Sequence, residues 1–380
     1  MSWEWVSIGE CVELVSGPAF KSENFTDDTD DIPLVKGENV QQAYVDWGIA
    51  KRWPKTDADT YERFLLRPND IVLAMDRPWV PAGLKWAFIT ANDPQGLLVQ
   101  RVARLRANAG SFPGFLKYII ASEEFTGYVK NIQGGTNVPH ISGEQIRSFK
   151  FRQPPLAAQK KIGDILSTYD DLIANNRRRI ALLEQSARLL YREWFVHLRF
   201  PGHEHVKVVD GVPVGWDRKP LGNVAKLNYG KALKAEHREA GNFPVYGSSG
   251  IVGNHKAALS EGPGIIIGRK GNVGKTFWSS SGFFPIDTVY FVDAETSNLY
   301  LYYALQNAQF ISTDVAVPGL NRDFAHSRPI LIPPAQMLDE FLESVTPMHQ
   351  QIDKLTLYNA KLREVRDLLL PRLMNGEIQV

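Results

Sequence analysis

The sequence has almost no cysteine, no long apolar run and no surplus of either charge. Its 380 residues hold one Cys, Cys11. A single thiol closes no intramolecular disulfide, which excludes a disulfide-stapled secreted scaffold and fits a reducing cytoplasm. No stretch of about 18 consecutive apolar residues occurs, so no membrane-spanning helix is expected. Met1-Ser-Trp-Glu-Trp lacks the basic and apolar regions of a signal peptide. The net charge is +1, from 43 Lys+Arg and 42 Asp+Glu. Bulk electrostatics therefore cannot hold a polyanion, and any such grip needs local patches or basic partners.

Catalytic patterns are missing too. No Gly-x-Ser-x-Gly elbow and no Gly-x-Gly-x-x-Gly after a strand is found. The Glu-x-Lys of metal-dependent DNA cleavage is absent, Asp217-Arg-Lys219 being the only comparable triplet. Base methylation calls for Asn/Asp-Pro-Pro-aromatic, yet Pro154-Pro155 lies between Gln153 and Leu156, and Pro333-Pro334 follows Ile332. In Gly268-Arg-Lys-Gly-Asn-Val-Gly274-Lys275-Thr276 the Gly spacing is wrong for a phosphate loop, so a Gly-rich, basic hairpin or a plain tight turn is expected. His203-Glu-His205 has no third ligand nearby, so it reads as a solvated linker. No metal site and no cofactor is expected in the chain.

What is present is repetition. Pro154-Pro155 and Pro333-Pro334 each open a stretch with a 4-3 apolar repeat. The first carries Ile162, Leu166, Tyr169, Ile173, Asn176, Ile180, Leu183, Ala187, Leu190 and Trp194. Moving each by 179 positions, without a gap, gives Phe341, Val345, Met348, Ile352, Leu355, Asn359, Leu362, Arg366, Leu369 and Leu373. A strict heptad marks a coiled-coil seam, because a lone amphipathic helix drifts off a 3.5-residue period. Pairs whose numbers sum to 535 set Ile162 opposite Leu373, Asn176 opposite Asn359 and Trp194 opposite Phe341. That register is antiparallel and lets the two seam amides satisfy each other. The plainer alternative is two unrelated surface helices, each covering its own domain. Beside the seam, Arg177-Arg178-Arg179 reads either as a solvated outer face or as a basic patch.

A second repeat lies in the globular stretches. Trp3, Ile8, Gly9, Leu14, Gly17, Ala19 and Lys21 recur 213 positions later as Trp216, Leu221, Gly222, Leu227, Gly230, Ala232 and Lys234. Ile32-Pro33 recurs in Phe243-Pro244, Ile71–Arg77 in Ile265–Arg269, and the helical stretch near Phe115 in the one near Tyr300. Gly134–Asn137 reads as a loop and Ile146–Phe151 as a closing strand. The expected fold class is α/β (α+β): two similar globules, 1–153 and 201–332, separated by two long helices, 154–200 and 333–380, that form an antiparallel coiled coil. Pro201-Gly202 is expected to end the first helix.

Side chains suited to base edges are loop Arg, Lys, Asn, Gln and His. In the first globule these are Gln41, Gln42, Arg77, Lys85, Asn137 and His140. In the second they are Lys234, His237, Arg238, Asn254, His255, Arg269, Lys270, Lys275, Asn321 and Arg322.

The duplicated globule–helix order resembles the specificity subunit of type I restriction–modification enzymes over nearly the whole chain. The local matches are Phe149–Ile162 leading into Leu182-Leu-Glu-Gln, Gly319-Leu-Asn-Arg-Asp-Phe ending in Ile330-Leu-Ile-Pro-Pro, and Ile267–Gly274. The resemblance implies two target recognition domains, each reading half of a bipartite double-stranded DNA site. It implies a coiled-coil ruler for the spacer, two methylation subunits that use S-adenosylmethionine, and restriction subunits that use ATP and Mg. The chain itself would be a cytoplasmic, non-catalytic subunit. One departure is Ala335-Gln-Met, which stands where the first copy has Leu-x-x-Gln. The rival readings are a stand-alone DNA methyltransferase or nuclease with a fused reader, and a protein scaffold without DNA contact.

Overall fold

The structure, a computed structural model, describes residues 3–80, 83–132, 140–312 and 319–380. The expected loop Gly134–Asn137, and with it the candidate Asn137, lies outside them. The chain divides into two compact units, residues 1–174 with 359–380, and residues 175–358.

The first unit is built on a five-stranded sheet in the order Val12–Ser16, Val102–Ala107, Ile71–Ala74, Trp86–Phe88, Gln42–Ala43. Neighbours run antiparallel except the last pair, which is parallel. Ile71–Ala74 is buried throughout, which is why it reads as an unbroken apolar run rather than an alternating one. A three-stranded sheet, Leu97–Leu98, Ile32–Val35, Arg52–Trp53, packs beside it. The helical stretch near Phe115 is two helices, Pro113–Ala121 and Glu123–Ile132. Ser122 divides them: its hydroxyl donates to the Ile119 carbonyl at 2.8 Å and accepts from the Phe125 N–H at 3.1 Å. The expected strand Ile146–Phe151 is instead a helix, Gly143–Ser148, followed by a strand, Lys150–Gln153. Local capping decides this: Ser142 and Gln145 close a capping box, which starts a helix where apolar content alone suggests a strand.

The second unit repeats this plan. Its sheet runs Asn228–Tyr229, Val289–Val292, Gly264–Gly268, Thr276–Ser279, and the smaller one Gly250–His255, Phe243–Gly247, Phe284–Pro285. Each unit is closed by an antiparallel strand pair, Glu4 facing Gln153 in the first and Asp217 facing Ile332 in the second. The helix Arg322–Ser327 stands 179 positions after Gly143–Ser148, the offset of the heptads. Two repeated glycines have a steric reason. A Cβ on Gly17 would sit 2.3 Å from the Leu98 carbonyl oxygen, and one on Gly230 2.0 Å from that of Ile286. No side chain fits where the two backbones approach so closely.

The long helices are Leu156–Tyr191, extended by one π turn at Arg192–Val196, and Ala335–Met374. Their 36 and 40 residues correspond to about 54 and 60 Å. The first ends before Pro201-Gly202: Leu198 is left-handed at φ 57°, and the chain turns to bury Phe200 against Trp216, 4.8 Å away. All twenty heptad positions are buried or half-buried, Asn359 buried and Asn176 half-buried. In the first unit the helix segments run antiparallel, with Ile162, Leu166 and Leu373 in one apolar cluster. There Arg366, the seam's one charge, meets Asp170 at 2.6 Å, and Asp170 also accepts from the Tyr118 hydroxyl at 2.6 Å. In the second unit Trp194 meets Phe341 at 5.9 Å in the same register.

Aromatic packing in the second unit encloses His349, whose Nε2 lies 2.8 Å from the Tyr303 hydroxyl. Trp278 and Tyr302 flank the ring at about 6 Å. Burial pushes its pKa down to about 4 from 6.5. The unfolded chain therefore takes up a proton below pH 6.5 that the folded unit refuses until about pH 4. Stability from this residue is full above pH 6.5 and falls as pH drops toward 4. Urea midpoints measured between pH 7 and 4 should decline less in His349→Phe than in the parent. Equal declines would sink the assignment.

Candidate nucleic-acid interface

Both units place loop residues at one equivalent spot, where the chain leaves a buried central strand. In the first unit Asp76 follows Ile71–Ala74 and bridges to His140. In the second Lys270 follows Gly264–Gly268 and bridges to Gly319. His140 and Gly319 again differ by 179 positions. The main-chain geometry matches, and the side chains do not.

At the first spot the Asp76 carboxylate is paired with both Arg101 and His140. Burial pushes the Asp76 carboxyl up, but hydrogen bonds from His140 and Arg101 outweigh it and hold it below the ordinary range. Arg77 and Arg101 are left-handed, at φ 43° and 63°. Such strain in non-glycine residues is characteristic of functional loops. Arg77 is exposed at this turn.

The second spot is carried by the hairpin from Gly268 to Thr276. Gly271 and Gly274, at φ 79° and 76°, make its turn, and the Gly268 N–H donates to the Lys275 carbonyl at 2.8 Å. The glycine-rich stretch is thus a tight hairpin turn that carries Arg269, Lys270 and Lys275. Arg269 and Arg322 lie over one ring, Tyr229, at 5.0 and 4.9 Å. Tyr229 is 49% exposed and rests edge-on against buried Tyr290, 5.1 Å away. Tyr290 is fixed by donating to the Leu320 carbonyl at 2.9 Å, and burial pushes its hydroxyl pKa up, so it stays protonated. One Arg269 amino group donates to the Asp287 carbonyl at 3.2 Å. Neither arginine is ion-paired with a carboxylate among the described residues. The site is therefore a platform of two cations and an aromatic plane.

The remaining candidates divide by environment. Gln42, Lys234, His237, Asn254, Lys270 and Lys275 are exposed; Lys234 lies 3.8 Å from Glu236, and Lys275 covers Phe277. Gln41 donates to the Glu38 carbonyl at 3.1 Å, and Arg238 to that of Val252 at 2.6 Å. Three are engaged within the fold. Lys85 is buried with its ammonium on the Gly37 carbonyl, and burial pushes its pKa down. His255 is buried, accepts from the Glu239 N–H at 3.1 Å and packs against Phe284. Asn321 caps the helix Arg322–Ser327, accepting from the Asp323 and Phe324 N–H groups at 2.8 and 3.0 Å. Tyr229 falls outside the Arg, Lys, Asn, Gln and His set that suits base edges, so the sequence alone does not single it out. Arg177, Arg178 and Arg179 are exposed on the helix. No group of three or more His, Cys, Asp or Glu among the described residues is arranged to hold a metal. No helix there is long and apolar enough to cross a membrane.

Twin sheet units with heptad helices, each unit carrying polar and basic side chains on the loops beside its central strand, are the architecture of a DNA-specificity class of protein. Residues 1–185 and 213–357 match the family described as type I restriction modification DNA specificity domain, and the chain belongs to that family. It is 33% identical over 173 residues to the EcoAI specificity subunit of Escherichia coli, covering 45% of this chain and 28% of that protein. To the MjaIX specificity subunit of Methanocaldococcus jannaschii it is 26% identical, covering 70% of this chain and 69% of that one. The HindI specificity subunit of Haemophilus influenzae is 24% identical, with 82% and 87% covered. The crystal structure of an S subunit from M. genitalium superposes with a TM-score of 0.59 at 18% identity over 98% of this chain and 96% of that one, which shows the shared fold.

Proposed function

We propose that this chain is a non-catalytic, cytoplasmic specificity subunit whose two globules each read one half of a bipartite double-stranded DNA target. The long helices set the unread spacer and dock two methylation subunits. Methylation and restriction subunits bring S-adenosylmethionine, ATP and Mg, together with the chemistry that uses them. The domain limits under this reading are 1–153 and 201–332 for the readers, 154–200 and 333–380 for the spacer helices. One observation carries the proposal. The two units share strand order and offsets of 213 and 179, yet differ in side-chain chemistry where each chain leaves its central strand. A duplicated scaffold with divergent loops suits the reading of two unlike half-sites. Base contacts specify, while phosphate contacts only position.

The test is selection from random duplexes by the chain with its methylation subunits. Two short specified blocks at a fixed separation are expected. A single block, or no preference, would overturn the proposal. Methyl transfer from labelled S-adenosylmethionine by the purified chain alone would favour the enzyme reading instead.

A further inference from the structure

Resting on that DNA-reading function, we infer that Arg322 recognises a guanine in the half-site read by the second unit, with Tyr229 restraining its guanidinium. The guanidinium of Arg322 lies 4.9 Å from the centre of the Tyr229 ring, a cation–π contact that restrains where it sits. Its Nε is buried and has no hydrogen-bond partner among the described residues. A cation–π contact uses none of the guanidinium's N–H donors, so the contact with Tyr229 does not itself occupy the amino groups of the fork. Arg269 lies over the same tyrosine but has one amino group tied to the Asp287 carbonyl. It restrains the ring and leaves Arg322 as the reader. The helix bearing Arg322 is anchored by its Asn321 cap, so the fork projects from a set backbone position. A planar pair of donors matches the O6 and N7 acceptors of guanine in the major groove, a pattern no other base offers. The first unit has at its equivalent spot a carboxylate, Asp76, paired with His140 and Arg101. The two half-sites are thus read with different chemistry.

The competing occupant is a backbone phosphate, and Arg→Lys separates the two. Lysine keeps the charge a phosphate needs and loses the planar fork a guanine needs. Arg322→Lys and Arg322→Ala, each in the full chain with methylation subunits, are assayed at fixed salt against duplexes altered one base pair at a time. Both variants should lose discrimination at one guanine of one half-site by roughly 5- to 150-fold, with preferences elsewhere unchanged. Melting temperature serves as the fold control, and Arg322→Lys should retain it. Uniform weakening on every duplex, with lysine restoring affinity, would make Arg322 a phosphate contact and overturn the inference alone. An unvaried chain that shows no sequence preference would instead bring down the DNA-reading function.

Discussion

Phe341→Ala is expected to lower the stability of the unit formed by residues 175–358 by about 3–5 kcal/mol. Phe341 is fully buried on the C-terminal helix. Its ring lies 5.0 Å from Phe195, 5.9 Å from Trp194 and 6.1 Å from Tyr191, all on the other helix segment of that unit. Tyr300 and Tyr303, from the globule, approach to 6.3 and 6.4 Å. Truncation leaves a cavity walled by five rigid rings that cannot close around it, which places the cost at the upper end for a core residue. Phe341→Leu fills most of that volume and should cost much less. Urea unfolding followed by near-ultraviolet circular dichroism reads both variants. Equal, small losses would show that the seam here is loosely packed.

Asp70→Ala is expected to cost the first unit a similar amount, about 3–5 kcal/mol, because it strands a partly buried cation. The Asp70 side chain is 1% exposed. Both its oxygens accept from Arg106, each at 2.7 Å, and one also accepts from the Arg67 N–H at 2.8 Å. Next to it Arg104, also 1% exposed, pairs with Glu13 at 2.9 Å. Removing the carboxylate leaves Arg106 without its paired acceptor beside a second buried guanidinium. The double change Asp70→Leu with Arg106→Met removes both charges and should recover much of the loss. Chemical denaturation of parent, single and double variants closes the cycle. A double variant as unstable as the single would show that the pair acts through shape rather than charge.

Periodicity carried most of what was legible in advance. The heptads and the two offsets depend only on spacing, and spacing survives where residue identity drifts. Asp217–Pro220 pairs with Pro329–Ile332 as Glu4–Ser7 pairs with Lys150–Gln153, although the two sets share little sequence. Ile146–Phe151 misled because its apolar content suits a strand, while the Ser142 cap four residues upstream decides for a helix. Among the candidate readers, residue type could not tell an outward lysine from Lys85, whose tail turns inward to the Gly37 carbonyl. Nor could it separate the capping amide of Asn321 from a free one. Tyr229 is significant only once Arg269 and Arg322 are both seen over its ring, and those residues lie far from it in sequence.

The make-up of the first unit sets an order on synthesis. Ile162 and Leu166 share their cluster with Leu373 and Met374, and Asp170 pairs with Arg366. A ribosome delivers residues 359–380 only after every residue of the other unit has been translated. Until then the earlier-made globule lacks one wall, so the domain begun first is finished last. A premature stop in the C-terminal helix would leave intact all of residues 1–174 and still expose their greasy underside to chaperones and proteases.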